Sequence, residues 1–422
     1  MKRVFVTLLT CFLMFQPIFL YAEGEESEET EQTTQTTTLG PDIKAPSGIL
    51  IDAETGTVLA KKNSDQLYDP TSLTKIMSVY LGVENLKEDR SITMSKETFE
   101  SYDHTKNVIW IMENETISFV DCAYASLVQN ANDTTAMIAE AVSGNQDAFV
   151  EKMNATAEEL GLINTHFSNV FGSYAEDQKT TAEDMAVLTR KAIRNKLFKE
   201  AFGASGHRIA PTAQQPNARV LANNCEFLRD GTQKYEAAVG CKIGYNQESG
   251  FALSAVAEQN GMELIAIILG GENENACYED ARTLFAYGFS EYQMLSISPQ
   301  DIGTKTIEVK EGDKQIADVT FKVDQGFSVL LPSSIDKEAL QSGIVVYNET
   351  SSNPKDIYAE VQFKLNGELI GTAEMQKETM AYGATLTSPE FPDLRKIFDY
   401  GCIGILFLLV FYRVGRILMP PQ

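Results

Sequence analysis

Basic side chains are the scarce half of this chain's charge: 35 Lys and Arg stand against 59 Asp and Glu, a net charge of −24 over 422 residues. With no cationic surplus to neutralise phosphates, nucleic acid is excluded as a partner. Histidine is scarcer still, limited to His104, His166 and His207. None of the six cysteines shows metal-ligand spacing, so neither a zinc site nor another metal or cofactor is expected. His166, beside Phe167, reads as structural rather than catalytic. The single tryptophan, Trp110, lies between Ile109 and Ile111 and is expected to pack in the core rather than to bind glycan.

Long apolar runs are missing except at the two ends. Lys2-Arg3 precede the mostly apolar stretch Val4 to Leu20, and Ala22 offers a small residue for cleavage. Residues 1–22 therefore read as a secretory signal. Residues 397–419 are apolar but interrupted by Asp399, Arg413 and Arg416. The clean stretch from Tyr400 to Tyr412 is shorter than the ~20 residues of a spanning helix. With snorkelling arginines the whole segment spans, and Arg413 and Arg416 put the C-terminus inside the cell. A helix lying in the membrane interface is the rival. Export permits disulfides, but Cys122, Cys225, Cys241 and Cys277 allow three pairings among which the sequence does not choose. Cys241 reads as a buried small residue rather than a reactive thiol.

Between these ends the composition changes three times. Residues 23–44 begin with six glutamates and many threonines before Gly40, too little apolar surface to offset chain entropy, so a disordered tether is expected. Residues 45–295 open with a hairpin, Gly48 to Ile51 and Thr57 to Ala60 around Asp52-Ala53-Glu54-Thr55-Gly56. Helices are expected from Ser72, over Phe119 to Val128, Asp133 to Val142, Gln146 to Leu160 and Thr181 to Arg194. Two apolar runs of strand length, Phe251 to Val256 and Leu264 to Leu269, flank the turn Asn260-Gly261. A last helix, Glu279 to Tyr287, is expected to stop at Gly288. Strands at both ends of a helical middle predict an α/β domain with an antiparallel sheet and a helical cluster. Residues 296–387 alternate with a period of two, as in Val319, Phe321 and Val323 or Ala359, Val361, Phe363 and Leu365, and predict a small all-β sandwich. The C-terminal apolar helix follows at 397–419.

The chemistry concentrates in three short segments. In Ser72-Leu73-Thr74-Lys75 a helical spacing of three places a hydroxyl and an amine on one face. Burial lowers a lysine's pKa, which lets its amine take the serine's proton. Asn130-Ala131-Asn132 and Lys242-Ile243-Gly244 follow in order. With their flanks (Gly48 to Gly56, Pro70-Thr71 before Ser72, Leu160-Gly161-Leu162 and Asn164-Thr165-His166-Phe167), these segments resemble the serine-type D-alanyl-D-alanine carboxypeptidases, the low-molecular-weight penicillin-binding proteins. S-x-x-K alone is a weak signal; the three ordered motifs with their flanks are a strong one. The resemblance implies the penicillin-binding-protein and β-lactamase fold for the first domain. It implies a serine carboxypeptidase that removes the terminal D-alanine from peptidoglycan stem peptides, with β-lactams as acylating inhibitors. Ser72 would be the nucleophile and Lys75 its base. Asn130 stands at the family's relay position, while Asn132, Lys242 and Gly244 would bind substrate. Such an enzyme works outside the cell membrane, anchored by its C-terminal segment. A β-lactamase-type hydrolase shares the motifs but fits the β-domain and tail poorly.

Two positions depart from the family pattern. Its middle motif begins with serine, and an amide at Asn130 cannot shuttle a proton. Its third motif carries threonine or serine where Ile243 offers no hydroxyl. The stretch Asn169-Val170-Phe171-Gly172-Ser173 also lacks the family's histidine-glycine pair. These changes make a catalytically impaired paralogue that binds stem peptides the alternative expectation.

Overall fold

The structure, a computed structural model, describes residues 38–381 except Gln325. The signal segment and the apolar C-terminal segment lie outside the described residues. The chain enters through β1 (Thr38–Leu39), β2 (Ser47–Asp52) and β3 (Val58–Lys62). β1 pairs with β3 and Ile43 is buried. Residues 38–44, given to the tether on composition, are thus part of the fold, because Leu39 finds a strand partner and Ile43 finds a core.

A helical region follows, made of α1 (Thr74–Asn85), α2 (Lys96–Phe99), α3 (Phe119–Val128), α4 (Asn132–Ser143), α5 (Gln146–Glu159), α6 (Ala182–Ala192) and α7 (Lys196–Phe202). Two short ribbons attach to it, β4 (Ser91–Thr93) with β5 (Thr116–Ser118) and β6 (Gly206–Ile209) with β7 (Arg219–Ala222). Ser118, Asn145, Thr181 and Asn195 cap α3, α5, α6 and α7 through their side chains, each satisfying a backbone N–H that the helix leaves free.

The chain then returns to the sheet with β8 (Ala238–Asn246), β9 (Gly250–Gln259) and β10 (Met262–Gly271). The strand order is β1-β3-β2-β10-β9-β8, so first and last segments meet at the centre and β8 forms an edge. β9 and β10 join through Asn260-Gly261, both at positive φ (54° and 78°), as a two-residue hairpin requires. β10 is buried on both faces. Ile265, Ile267 and Leu269 pack into the helical cluster, whereas Leu264, Ala266 and Ile268 pack against α8 (Glu274–Glu291). That double burial is why the strand reads as a continuous apolar run.

Helix α8 is longer than the sequence suggests and runs through Gly288. The glycine is there for packing and not as a cap: a Cβ would meet Leu264 Cδ1 at 2.6 Å and Leu50 Cδ2 at 2.8 Å. Among the described residues one disulfide, Cys225–Cys241, ties β8 to the segment before it, while Cys122 and Cys277 are free and buried.

The remaining strands are β11 (Tyr292–Ile297), β12 (Lys305–Glu311), β13 (Lys314–Lys322), β14 (Phe327–Pro332), β15 (Leu340–Tyr347), β16 (Tyr358–Leu365), β17 (Glu368–Glu374) and β18 (Gln376–Ala381), with one short helix, α9 (Pro299–Ile302). They pair as β11-β14, β12-β13-β18 and β15-β16-β17. Their inward residues, Val319, Phe321, Val361 and Phe363 among them, form a core of their own.

Candidate active site

Ser72 sits on a 3-10 turn, Thr71–Leu73, that leads into α1. Asp69 steadies the turn by accepting the Thr71 N–H at 2.6 Å. Burial raises the Asp69 carboxyl to about 6. Thr71 adopts φ 50°, a left-handed conformation that is costly for a β-branched residue and persists only where its surroundings enforce it. Two glycines do so. A Cβ on Gly172 would lie 1.7 Å from Thr71 O, and one on Gly244 would lie 2.4 Å from Thr71 Oγ1 and 2.6 Å from the Ser72 nitrogen. Gly244 therefore lets β8 press directly against the serine.

Lys75 follows one turn later and is 1 % exposed. Its Nζ donates to the carbonyl of Phe171 at 2.7 Å. Burial pushes its amine down to about 7, against a smaller opposing pull from Asp133. An amine in that range spends a large fraction of its time neutral and able to accept a proton.

Asn130 and Asn132 occupy the junction of α3 and α4. Asn130 has φ 58°, which asparagine tolerates better than other side chains with a Cβ. It is fully engaged. Its Oδ1 accepts from Lys242 Nζ, and its Nδ2 donates to Ile243 O at 3.2 Å. Lys242 also donates to Ser126 O at 3.0 Å and Leu127 O at 3.1 Å. Burial, then the nearby Lys75 charge, holds the Lys242 amine well below its ordinary value. Asn132 donates its Nδ2 to Lys106 O at 3.2 Å. Its Oδ1 is buried with no partner among the described residues. Ile243 is buried and packs with the α8-side cluster, so no hydroxyl stands at that position of β8.

Gly244 thus lies against Ser72 and Lys242 is bonded to Asn130, which brings three distant segments together; Lys75 follows Ser72 by one turn and bonds to Phe171 O, and Asn132 follows Asn130 in the same junction. Two features were not read from sequence. The loop at 169–173 is organised by Asn169, whose Oδ1 accepts from the N–H groups of Phe171 (3.1 Å), Gly172 (2.8 Å) and Ser173 (3.0 Å). That turn aims Phe171 O at Lys75 and Val170 O at Ser78 Oγ. An asparagine two residues before Phe171-Gly172 is the only sequence signal of it. The second is Trp110. Ile109 and Ile111 are buried as expected, but Trp110 is 65 % exposed. Its φ of 63° turns it out of the core that its neighbours enter.

Comparison with known proteins follows the same outline. A family model described as D-alanyl-D-alanine carboxypeptidase matches residues 32–273, more than half of the chain. The D-alanyl-D-alanine carboxypeptidase DacC of Escherichia coli (strain K12) is 28% identical over 344 residues, covering 79% of this chain and 83% of that protein. DacF of Bacillus subtilis (strain 168) is 26% identical over 339 residues, with 79% and 82% covered. Penicillin binding protein 5 of Haemophilus influenzae superposes with a TM-score of 0.65 at 24% identity, over 80% of this chain and 98% of that one. Penicillin binding protein 6B of Escherichia coli gives 0.62 at 23%, over 83% and 99%. At those identities the structural likeness shows the fold: an antiparallel sheet with a helical cluster, joined to a strand-rich second part.

Proposed function

This chain belongs to the D-alanyl-D-alanine carboxypeptidase family, and on that premise we propose that it removes the terminal D-alanine of peptidoglycan stem peptides through an acyl-enzyme on Ser72. The observation that carries the proposal is the joining of the three motifs: Gly244 lies against Ser72, and Lys242 is bonded to Asn130. Lys75, poised near 7, takes the Ser72 proton as Oγ attacks the carbonyl between the two D-alanines. Backbone N–H groups, that of Ser72 among them, stabilise the oxyanion. The C–N bond breaks, and the proton goes to the departing D-alanine amine. Water then hydrolyses the ester and restores the serine. Lys242 suits the terminal carboxylate, and the free Asn132 Oδ1 suits a stem amide N–H. β-Lactams would acylate the same serine. The protein would act on the outer face of the cell membrane, exported by residues 1–22 and held by 397–419.

A second reading is favoured by Asn130. Its amide is committed at both ends and has no proton to relay, so the chain would bind stems and turn them over slowly. Incubating the protein with a synthetic pentapeptide stem separates the two. Mass spectrometry shows loss of one alanine under the first reading and an unchanged, bound peptide under the second.

The proposed role of Lys75 fixes a pH profile. The reactive form is the neutral amine, which is lost as pH falls through about 7. Acylation by a fluorescent penicillin is expected to be level above that pH and to fall about tenfold per unit below it. An inflection near the ordinary lysine value of about 10.4 would remove Lys75 as the base.

A further inference from the structure

The Lys242 ammonium sits on the end of a helix. Its Nζ donates to Ser126 O at 3.0 Å and to Leu127 O at 3.1 Å, both in the last turn of α3, and to Asn130 Oδ1. The next carbonyl, Val128 O, accepts the N–H of Asn224 at 2.8 Å. Three successive carbonyls at the negative end of the α3 dipole are therefore capped from two other segments. Each capping residue stands beside a disulfide-bonded cysteine: Asn224 precedes Cys225, and Lys242 follows Cys241. The S–S bond closes a ring that runs from the end of α3 through Asn224 and Cys225 to Cys241, Lys242 and back to α3.

The two sides of this ring differ in how they are anchored. Asn223 donates its N–H to Ser205 O at 2.9 Å and its Nδ2 to Ala204 O at 2.8 Å. Its Oδ1 accepts the Cys225 N–H at 2.8 Å, and the Glu226 N–H donates to Tyr278 Oη at 2.9 Å. That side is fixed without the disulfide. β8 is an edge strand, with β9 as its sole strand neighbour among the described residues. Its register with β9 slips between Ala238 and Gly240, directly before Cys241, and such an irregularity bends a strand. Successive side chains of a strand point to opposite faces. Cys241 and Ile243 enter the cluster on the α8 side, while Lys242 reaches α3 from the other face. The disulfide thus grips β8 from behind, one residue from the ammonium, and ties it to the fixed segment. A buried ammonium such as Lys242 depends on acceptors that stay in reach.

We propose that Cys225 and Cys241 are positioning residues for Lys242: their disulfide sets the ammonium where it meets the substrate's terminal carboxylate, and the dithiol form of the same chain captures that carboxylate poorly. The inference rests on the carboxypeptidase reading of the site. Both sulfurs are buried, so the choice between the two forms is made as the chain folds. With glutathione disulfide as oxidant, the two thiols give up two protons and two electrons, one S–S bond forms, and two glutathione thiols leave.

The test compares two refolded preparations of the full chain, one kept under dithiothreitol and one oxidised with glutathione disulfide. Mass spectrometry reads the rate of adduct formation with benzylpenicillin and with its methyl ester, which lacks the carboxylate. The ester reports the chemistry of Ser72 and Lys75 without the charge that Lys242 would meet. The oxidised form is expected to react with the free acid at least about tenfold faster than the dithiol form, and with the ester at a rate within about twofold. Cys225→Ala, expressed without refolding, is expected to match the dithiol form with both probes. A loss shared equally by acid and ester makes the bond a general staple and overturns the proposal. So do acid rates that ignore the bond, or a dithiol form and a Cys225→Ala variant that both fail to fold. Adducts with neither probe in any preparation sink the carboxypeptidase reading as well.

Discussion

Ser72→Ala protein takes no covalent label from a fluorescent penicillin and releases D-alanine about 10⁵–10⁶-fold more slowly than wild type, the loss expected when a nucleophile that acts as one unit with its base is removed. The fold should not notice. Ser72 is half-buried, and its hydroxyl makes no hydrogen bond to another described residue. What fixes the turn is Asp69 accepting the Thr71 N–H and the two close glycines, all left intact. The melting temperature should move by less than about 2 °C, and stem binding should persist. Loss of label together with a large drop in melting temperature would mean that Ser72 is a structural residue, and the acyl-enzyme would lose its main support.

Asn130→Ser should raise D-alanine release by about 10²-fold, the lower end of what a positioned acid–base group contributes. Serine brings a hydroxyl able to pass a proton between amine and leaving group. It also removes one of the three acceptors that now hold Lys242 Nζ, leaving one N–H for the substrate carboxylate. The substitution has a cost that the structure makes visible. At φ 58° asparagine is well suited and serine is not, a difference of roughly 1 kcal/mol. Losing the bond to Ile243 O adds about as much. The variant should therefore be faster and less stable, with a melting temperature lower by about 4–8 °C. A variant that is destabilised and no faster would show that the amide is not what limits turnover.

Local spacing singled out Ser72 and Lys75 as candidates, because three residues at the start of a helix lie one turn apart. Alternation made the second domain's strands legible, and Asn260-Gly261 announced its hairpin. What stayed hidden lies far apart in sequence or in the backbone. The acceptor for Lys75 is a main-chain carbonyl, and any residue at position 171 would supply one. Trp110 read as core from its isoleucine neighbours. Its outward turn depends on Arg219, more than a hundred residues away, and no local pattern encodes that. Gly288 looked like a helix stop because cap rules are local, whereas its real cause is the approach of Leu264 and Leu50 from the sheet. The pairing of Cys225 with Cys241 was one choice among three until the strand placed them together.

Rapid-quench mass spectrometry of wild-type protein with a pentapeptide stem addresses the acyl-enzyme itself. The expected product is a tetrapeptide ester on the proteolytic fragment containing Ser72, with one D-alanine freed for each ester formed. Release of D-alanine without any adduct on that fragment, or an adduct mapped to a different side chain, would contradict it.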